Sequence, residues 1–132
     1  MTSPATEARP ANGFSKRERI CSRKDIGTLV STGHWGTVGH IKYCWHSNGV
    51  QVNRILVSVP KKYFKRAVKR NLLKRRMREA YRTQKSLLPP ATPLGGTDVL
   101  LQYNSEQLCP YAVVRAEVAA VLAAVAAKSY NG

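Results

Sequence analysis

Residues 69–82 read KRNLLKRRMREAYR. The chain carries no Gly or Pro from Ala67 to Gln84, which predicts one helix over that span. With Leu73 at zero and about 100° per residue, Met77, Ala80 and Tyr81 share one apolar stripe with Leu73. Lys74, Arg78, Asn71, Arg82 and Arg75 fall together on an arc from about 100° to 200°. A helix this charged repels itself. Burial of its stripe, at about 1.5–3 kcal/mol per large side chain, can hold it until a polyanion arrives. The rise from Asn71 to Arg82 is about 16 Å, enough to meet several consecutive phosphates, and Arg grips each through a planar fork.

The charge extends outward from the helix. Lys61 to Arg82 holds eleven basic residues against Glu79 alone. Lys61, Lys62, Lys65 and Arg66 precede the helix, Lys69 and Arg70 begin it, and Lys16, Arg17, Arg19, Arg23 and Lys24 add a basic segment near the start. Over 132 residues, 22 Lys and Arg face 7 Asp and Glu, giving a formal charge of +15. That excess is far beyond what solubility requires and points to a polyanionic partner. The length suits one compact domain.

No apolar run reaches the roughly 18 residues that span a bilayer, and MTSPATEARPANG lacks the hydrophobic segment of a secretory signal. A cytoplasmic location is expected. Cys21, Cys44 and Cys109 are odd in number and widely spaced, which suggests reduced structural thiols. No internal repeat is present.

Residues 1–13 have no periodic apolar positions and are expected to form a disordered tail, with order beginning near Phe14. Ser22 as cap, Ile26, Leu29 and Val30 at helical spacing and Gly33 as a stop predict a short helix over 22–32. In HIKYCWH, Ile41, Tyr43 and Trp45 alternate with His40, Lys42, Cys44 and His46, a strand period. Asn48-Gly49 is a preferred turn dipeptide, and Ile55, Val57 and Val59 alternate after it, so a hairpin ending at Pro60 is expected. LLPPATPLGG reads as an irregular loop, TDVLLQY as a buried strand, and the segment from Pro110 as a helix with Val114, Val118, Val121, Leu122 and Val125 on one face. The order is α-β-β-α-β-α, an α+β class.

SVPKKYFKRAVKRNLLKRRMREAYR resembles the signature of the bacterial ribonuclease P protein subunit: a strand ending in S-V-x-K-K followed by a helix with R-N-R-x-x-K-R-x-x-R-E-A-like spacing. FSKRERI, the KDI helix, the aromatic strand and the late D-V-L-L strand follow in that family's order, so the likeness covers about residues 14–127. By position, Arg70, Asn71, Lys74, Arg75 and Arg78 match its basic helix, and Lys61 and Lys62 its leading lysines. Leu72 stands where the family carries a second Arg, off the basic face.

The resemblance implies a central mixed sheet of about four strands packed by helices, with a left-handed crossover around the basic helix, an exception to the usual hand. It implies that the protein assists a catalytic RNA in removing the 5′ leader of precursor tRNA, with chemistry and Mg²⁺ belonging chiefly to the RNA. It also implies a cleft for the leader between the sheet and the first helix. Phe14, Ile26 and Val30 are placed there, the last two where the family has Phe, together with Tyr43 or Trp45. Either ring can equally be core, since stacking on a base and packing against neighbours use the same apolar face. Outside the ribonucleoprotein a monomer is expected.

Other readings stand beside this one. A general RNA-binding or ribosomal protein would share the charge and the helix. An enzyme with its own metal site would need clustered carboxylates, and Glu7, Glu18, Asp25, Glu79, Asp98, Glu106 and Glu117 are dispersed along the chain. His40, Cys44 and His46 on one strand face lack a fourth ligand for zinc. A Cys44–His nucleophilic pair has only their proximity in sequence behind it.

Overall fold

A computed structural model of the protein describes residues 18–20, 22–93 and 95–131, with side chains as far as Lys128. Residues 1–13, expected to be a tail, lie outside the described residues, as do Phe14, Lys16, Arg17 and Cys21. In chain order the elements are helix α1 (Arg23–Thr32), strands β1 (His34–Val38), β2 (Ile41–Asn48) and β3 (Arg54–Ser58), helix α2 (Ala67–Gln84), strand β4 (Gly96–Tyr103) and helix α3 (Tyr111–Asn131), with a 3₁₀ turn at Lys85–Leu87 after α2. The four strands form one mixed sheet in the order β1-β2-β4-β3.

The expected hairpin between β2 and β3 does not form. β4 lies between them, antiparallel to β2 with Tyr43 opposite Leu101 and parallel to β3 with Val57 opposite Leu101. From Thr97 to Leu101 every residue of β4 is buried, so it takes a position covered on both faces. The loop after Asn48 is stitched to that strand: the amides of Gly96 and Thr97 donate to the side-chain oxygens of Asn48 and Asn53, each at 3.0 Å. The hairpin that does form joins β1 to β2 through Gly39 and His40 and closes on the Val38–Ile41 pair. Gly39 has φ +55°, and a Cβ there would strike the Glu117 carboxylate.

Pleating divides the core in two. Ile41, Tyr43, Trp45, Ile55, Val57, Val99, Leu101 and Tyr103 point to one face, where α2 delivers Leu73, Met77, Ala80 and Tyr81 and α3 delivers Val114, Val118, Val121, Leu122 and Val125. The predicted stripes of both helices are therefore the buried ones, each residue at most 1% exposed. On the other face Cys44, Leu100 and the half-buried Leu56 pack with Leu29 and Ile26 of α1.

Two polar contacts fix α1. Ser22 caps α1, accepting from the Asp25 amide at 3.4 Å. Arg54 on β3 donates through Nε and Nη2 to both oxygens of buried Asp98 at 2.8 Å, and through Nη1 to Asp25 of α1 at 3.1 Å. A bidentate pair at a site this enclosed fixes the bearing of α1 on the sheet. Gly33 ends α1, and a Cβ there would collide with the Cys44 thiol and the Leu29 carbonyl, so close approach and not backbone angle selects glycine.

His40 in the β1–β2 turn is bound to α3. Its Nδ1 lies 2.8 Å from Glu117 Oε2, its Nε2 2.9 Å from Gln107 Oε1, and its backbone N–H donates to Glu117 Oε1 at 2.9 Å. The Glu117 bond, then the Gln107 bond, raise its pKa above the usual 6.5.

Met77→Asp places a charge among fully buried side chains and is expected to abolish the cooperative thermal transition followed by circular dichroism. Because the folded-state pKa of His40 is raised, its contribution is fully present below the unfolded value of 6.5 and is lost as pH rises through the folded value. As pH rises above the usual 6.5 the wild-type chain should lose unfolding free energy relative to His40→Gln. Parallel pH profiles in denaturant titrations would show that the Glu117 contact does not favour the charged ring.

Candidate nucleic-acid interface

α2 exposes the face opposite its buried stripe. Asn71, Arg75, Arg78, Glu79 and Arg82 line a shallow depression of about 290 Å³. Lys74 borders them, partly exposed. The first turn of α2 contains no acidic residue, and Arg66 caps it without a side-chain bond. Positive side chains therefore add to the positive end of the helix dipole instead of offsetting it.

The basic residues differ in what they already hold. Arg75 and Arg78 are exposed. Burial lowers the Arg78 pKa, and the nearby charge of Arg19 lowers it further. Arg19 is brought there because its segment runs parallel to β3, the Ile20 amide donating to the Ile55 carbonyl at 3.1 Å. An anion beside Arg78 would offset the like charge of Arg19. Arg82 is paired with Glu79, an interaction that raises the Arg82 pKa and lowers that of Glu79.

Two arginines also serve the fold. Arg70, assigned to RNA contact by position, donates through Nη1 to the carbonyls of Phe64 and Lys65, both at 2.8 Å, and so ties the turn before α2 to its first coil. Arg76 reaches the Cys109 carbonyl at 2.5 Å, ahead of α3. Lys61, Lys62, Lys65, Arg66 and Lys69 are exposed around the start of α2, with Lys62 Nζ 5.0 Å from the Tyr63 ring.

The sites expected on the strands are rearranged. Tyr43 and Trp45 are 3% and 6% exposed and sit on the sheet face covered by α2 and α3. α1 lies on the other face, so neither ring lines a cleft beside it; the pleat of β2, which sends alternate residues to opposite faces, decides this. Ile26 is half-buried against Leu29 and Cys44, and Val30 is 44% exposed. His40, Cys44 and His46 do not converge either. His40 is held by Glu117 of α3, whereas the Cys44 thiol donates to the Leu29 carbonyl at 3.2 Å beneath α1, and burial raises its pKa. Among the described residues no three His, Cys, Asp or Glu side chains could hold a metal ion together.

Trp35 is the aromatic that the sequence reading left out. It stands on β1, 39% exposed, on the α1 side of the sheet. Its indole N–H donates to the Val30 carbonyl at 3.3 Å and Lys42 Nζ lies 4.9 Å from its ring. HWGTV gives little strand signal, since its apolar residues Trp35 and Val38 fall three apart and Gly33, Gly36 and Gly39 flank and interrupt it.

A family model described as Ribonuclease P matches residues 14–126. The chain belongs to the ribonuclease P family of proteins. It is 43% identical over 91 residues to the ribonuclease P protein component of Porphyromonas gingivalis, covering 67% of this chain and 63% of that protein. The one from Ralstonia pickettii is 42% identical over 95 residues, 72% of this chain and 64% of the relative. The chain thus spans less than two thirds of the length of these curated relatives. In fold it is similar to the RNase P protein from Thermotoga maritima, with a TM-score of 0.70 at 23% identity over 82% of this chain and 97% of that one. The Staphylococcus aureus RNase P protein superposes with a TM-score of 0.68 at 22% identity over 82% and 94%. No helix among the described residues is long and apolar enough to cross a membrane.

Arg75→Ala and Arg78→Ala should each weaken binding of a ribonuclease P RNA by about 1 kcal/mol and flatten the dependence of affinity on salt, because fewer counterions are released. Arg70→Ala should instead lower the thermal midpoint through the two carbonyls it abandons. Unchanged affinity of the first two across a salt titration, with the fold intact, would reassign the α2 face.

Proposed function

We propose that the protein is the RNA-binding subunit of ribonuclease P, seating a catalytic RNA on the exposed face of α2 and helping it to remove the 5′ leader of precursor tRNA in the cytoplasm. The observation that carries this reading is the sorted helix: a fully buried apolar stripe on one side and Asn71, Lys74, Arg75 and Arg78 on the other, in a chain of the ribonuclease P family.

Hydrolysis belongs to the RNA in this reading. The described carboxylates are largely engaged in holding the fold: Asp25 and Asp98 with Arg54, Glu79 with Arg82, Glu117 with His40, and Glu18 with Lys85 at 2.9 Å. They are spread over the molecule and do not fit a two-metal hydrolytic centre, which needs convergent oxygen ligands. Mg²⁺ is therefore assigned to the RNA-centred site, and no step passes through an ion held by these side chains.

The 5′ leader is assigned to the sheet face beside α1, where Trp35 offers a flat ring and Val30 an apolar neighbour. Lys42, against the same ring, supplies charge for the strand's backbone. A stacked base contributes about 1–3 kcal/mol by such contact.

The reading is tested by reconstitution with a ribonuclease P RNA. The protein should lower the Mg²⁺ concentration at which that RNA cuts precursor tRNA at the leader junction, and protein alone should not cut. Trp35→Leu should weaken precursor tRNA binding by the holoenzyme by about tenfold while leaving mature tRNA nearly unchanged. Cleavage by the protein alone would move catalysis to the chain, and equal losses for both substrates would remove Trp35 from the leader site.

A further inference from the structure

Val68 is 78% exposed, the most exposed large aliphatic side chain among the described residues. It lies in the first turn of α2, between Ala67 and Lys69, with Lys65 and Arg66 before it and Arg70 after. Helical spacing puts Asn71 and Leu72 one turn above it and Arg75 two turns above. Leu72 is itself only half-buried. The pair forms an apolar border to the basic face. About 40° further round the helix, Arg76 is anchored to the Cys109 carbonyl, so the border runs between the basic face and the segment leading into α3.

Among the described residues Val68 belongs to neither core cluster. A valine is also a poorer helix former than the Lys, Arg or Ala that surround it, because its branched side chain loses freedom against the preceding turn. We propose that Val68 and Leu72 form a shelf on which one unpaired base of the bound RNA rests, while Lys65, Lys69 and Arg75 hold the adjoining backbone. This inference rests on the reading of α2 as an RNA-binding face.

The surroundings select the occupant. A phosphate on these side chains would lose water and gain no donor, whereas a base presents an apolar face of matching size. Unpaired bases in RNA loops are the ones free to turn outward onto a protein surface. A second copy of the chain is disfavoured by the cations around the shelf and by its small extent, two side chains against the roughly 1,000 Å² of a stable interface.

The test is a titration of a ribonuclease P RNA with the full chain, Val68→Ser, Val68→Met and Arg75→Ala over a series of KCl concentrations. Val68→Ser should bind about threefold to tenfold more weakly at every salt concentration, with the slope of log affinity against log salt unchanged. Val68→Met should bind within about twofold of wild type, since it restores apolar area. Arg75→Ala should flatten the slope. Because Val68 is exposed, thermal melts of both valine variants should match wild type. Equal binding by Val68→Ser and wild type, or equal weakening by Ser and Met, overturns the shelf and leaves the basic face standing. Salt-insensitive or absent binding by the wild-type chain would overturn the RNA-binding reading and the shelf together.

Discussion

The contact between the α2 stripe and the sheet is the constraint on which the rest depends. Leu73, Met77, Ala80 and Tyr81 are buried against β strands and α3, and only that burial makes a helix of this charge density tenable in water. Burial also sets rotation. Because side chains repeat about every 3.6 residues, fixing Leu73 inward leaves Asn71, Arg75 and Arg78 outward and gives the basic face one bearing. The remaining elements serve that docking: α3 closes one side, and Glu18 to Ile20 close the other, with Glu18 bonded to Lys85 beyond the helix end.

The elements that were legible in the sequence are those whose signal is local. The range Ala67–Gln84 and the core positions of α3 follow from helical periodicity alone, and α1 was visible through Ser22, Leu29 and Gly33. Strand pairing was not legible, because Asn48-Gly49 marks a turn without naming the partner of either flank. That choice was made by β4, about forty residues downstream, whose Val99, Leu100 and Leu101 are buried on both faces. β1 was hidden by Gly33, Gly36 and Gly39, which weaken any strand pattern.

The site divides in the same way. The outward residues of α2 could be assigned from one helix considered alone. The two rings of β2 could not, since alternation places Tyr43 and Trp45 on a common face without saying which helix covers it. Arg70 shows a further limit: its position in the motif suggests a ligand contact, and its guanidinium is spent on two backbone carbonyls. A motif identifies the residue type that a place requires but does not separate binding from support.

The central placement of β4 has a kinetic meaning. During synthesis β2, β3 and the whole of α2 emerge before the strand that joins them, so neither β2 nor β3 has its inner neighbour until Tyr103 has been made. The apolar stripe of α2 has no complete floor in that interval, while its cations are already present. Closing the sheet then requires insertion of a strand between two earlier ones, with the loop-closure entropy of distant contacts, and such topologies fold slowly. A nascent chain of this protein therefore displays its positive charge before it owns a core.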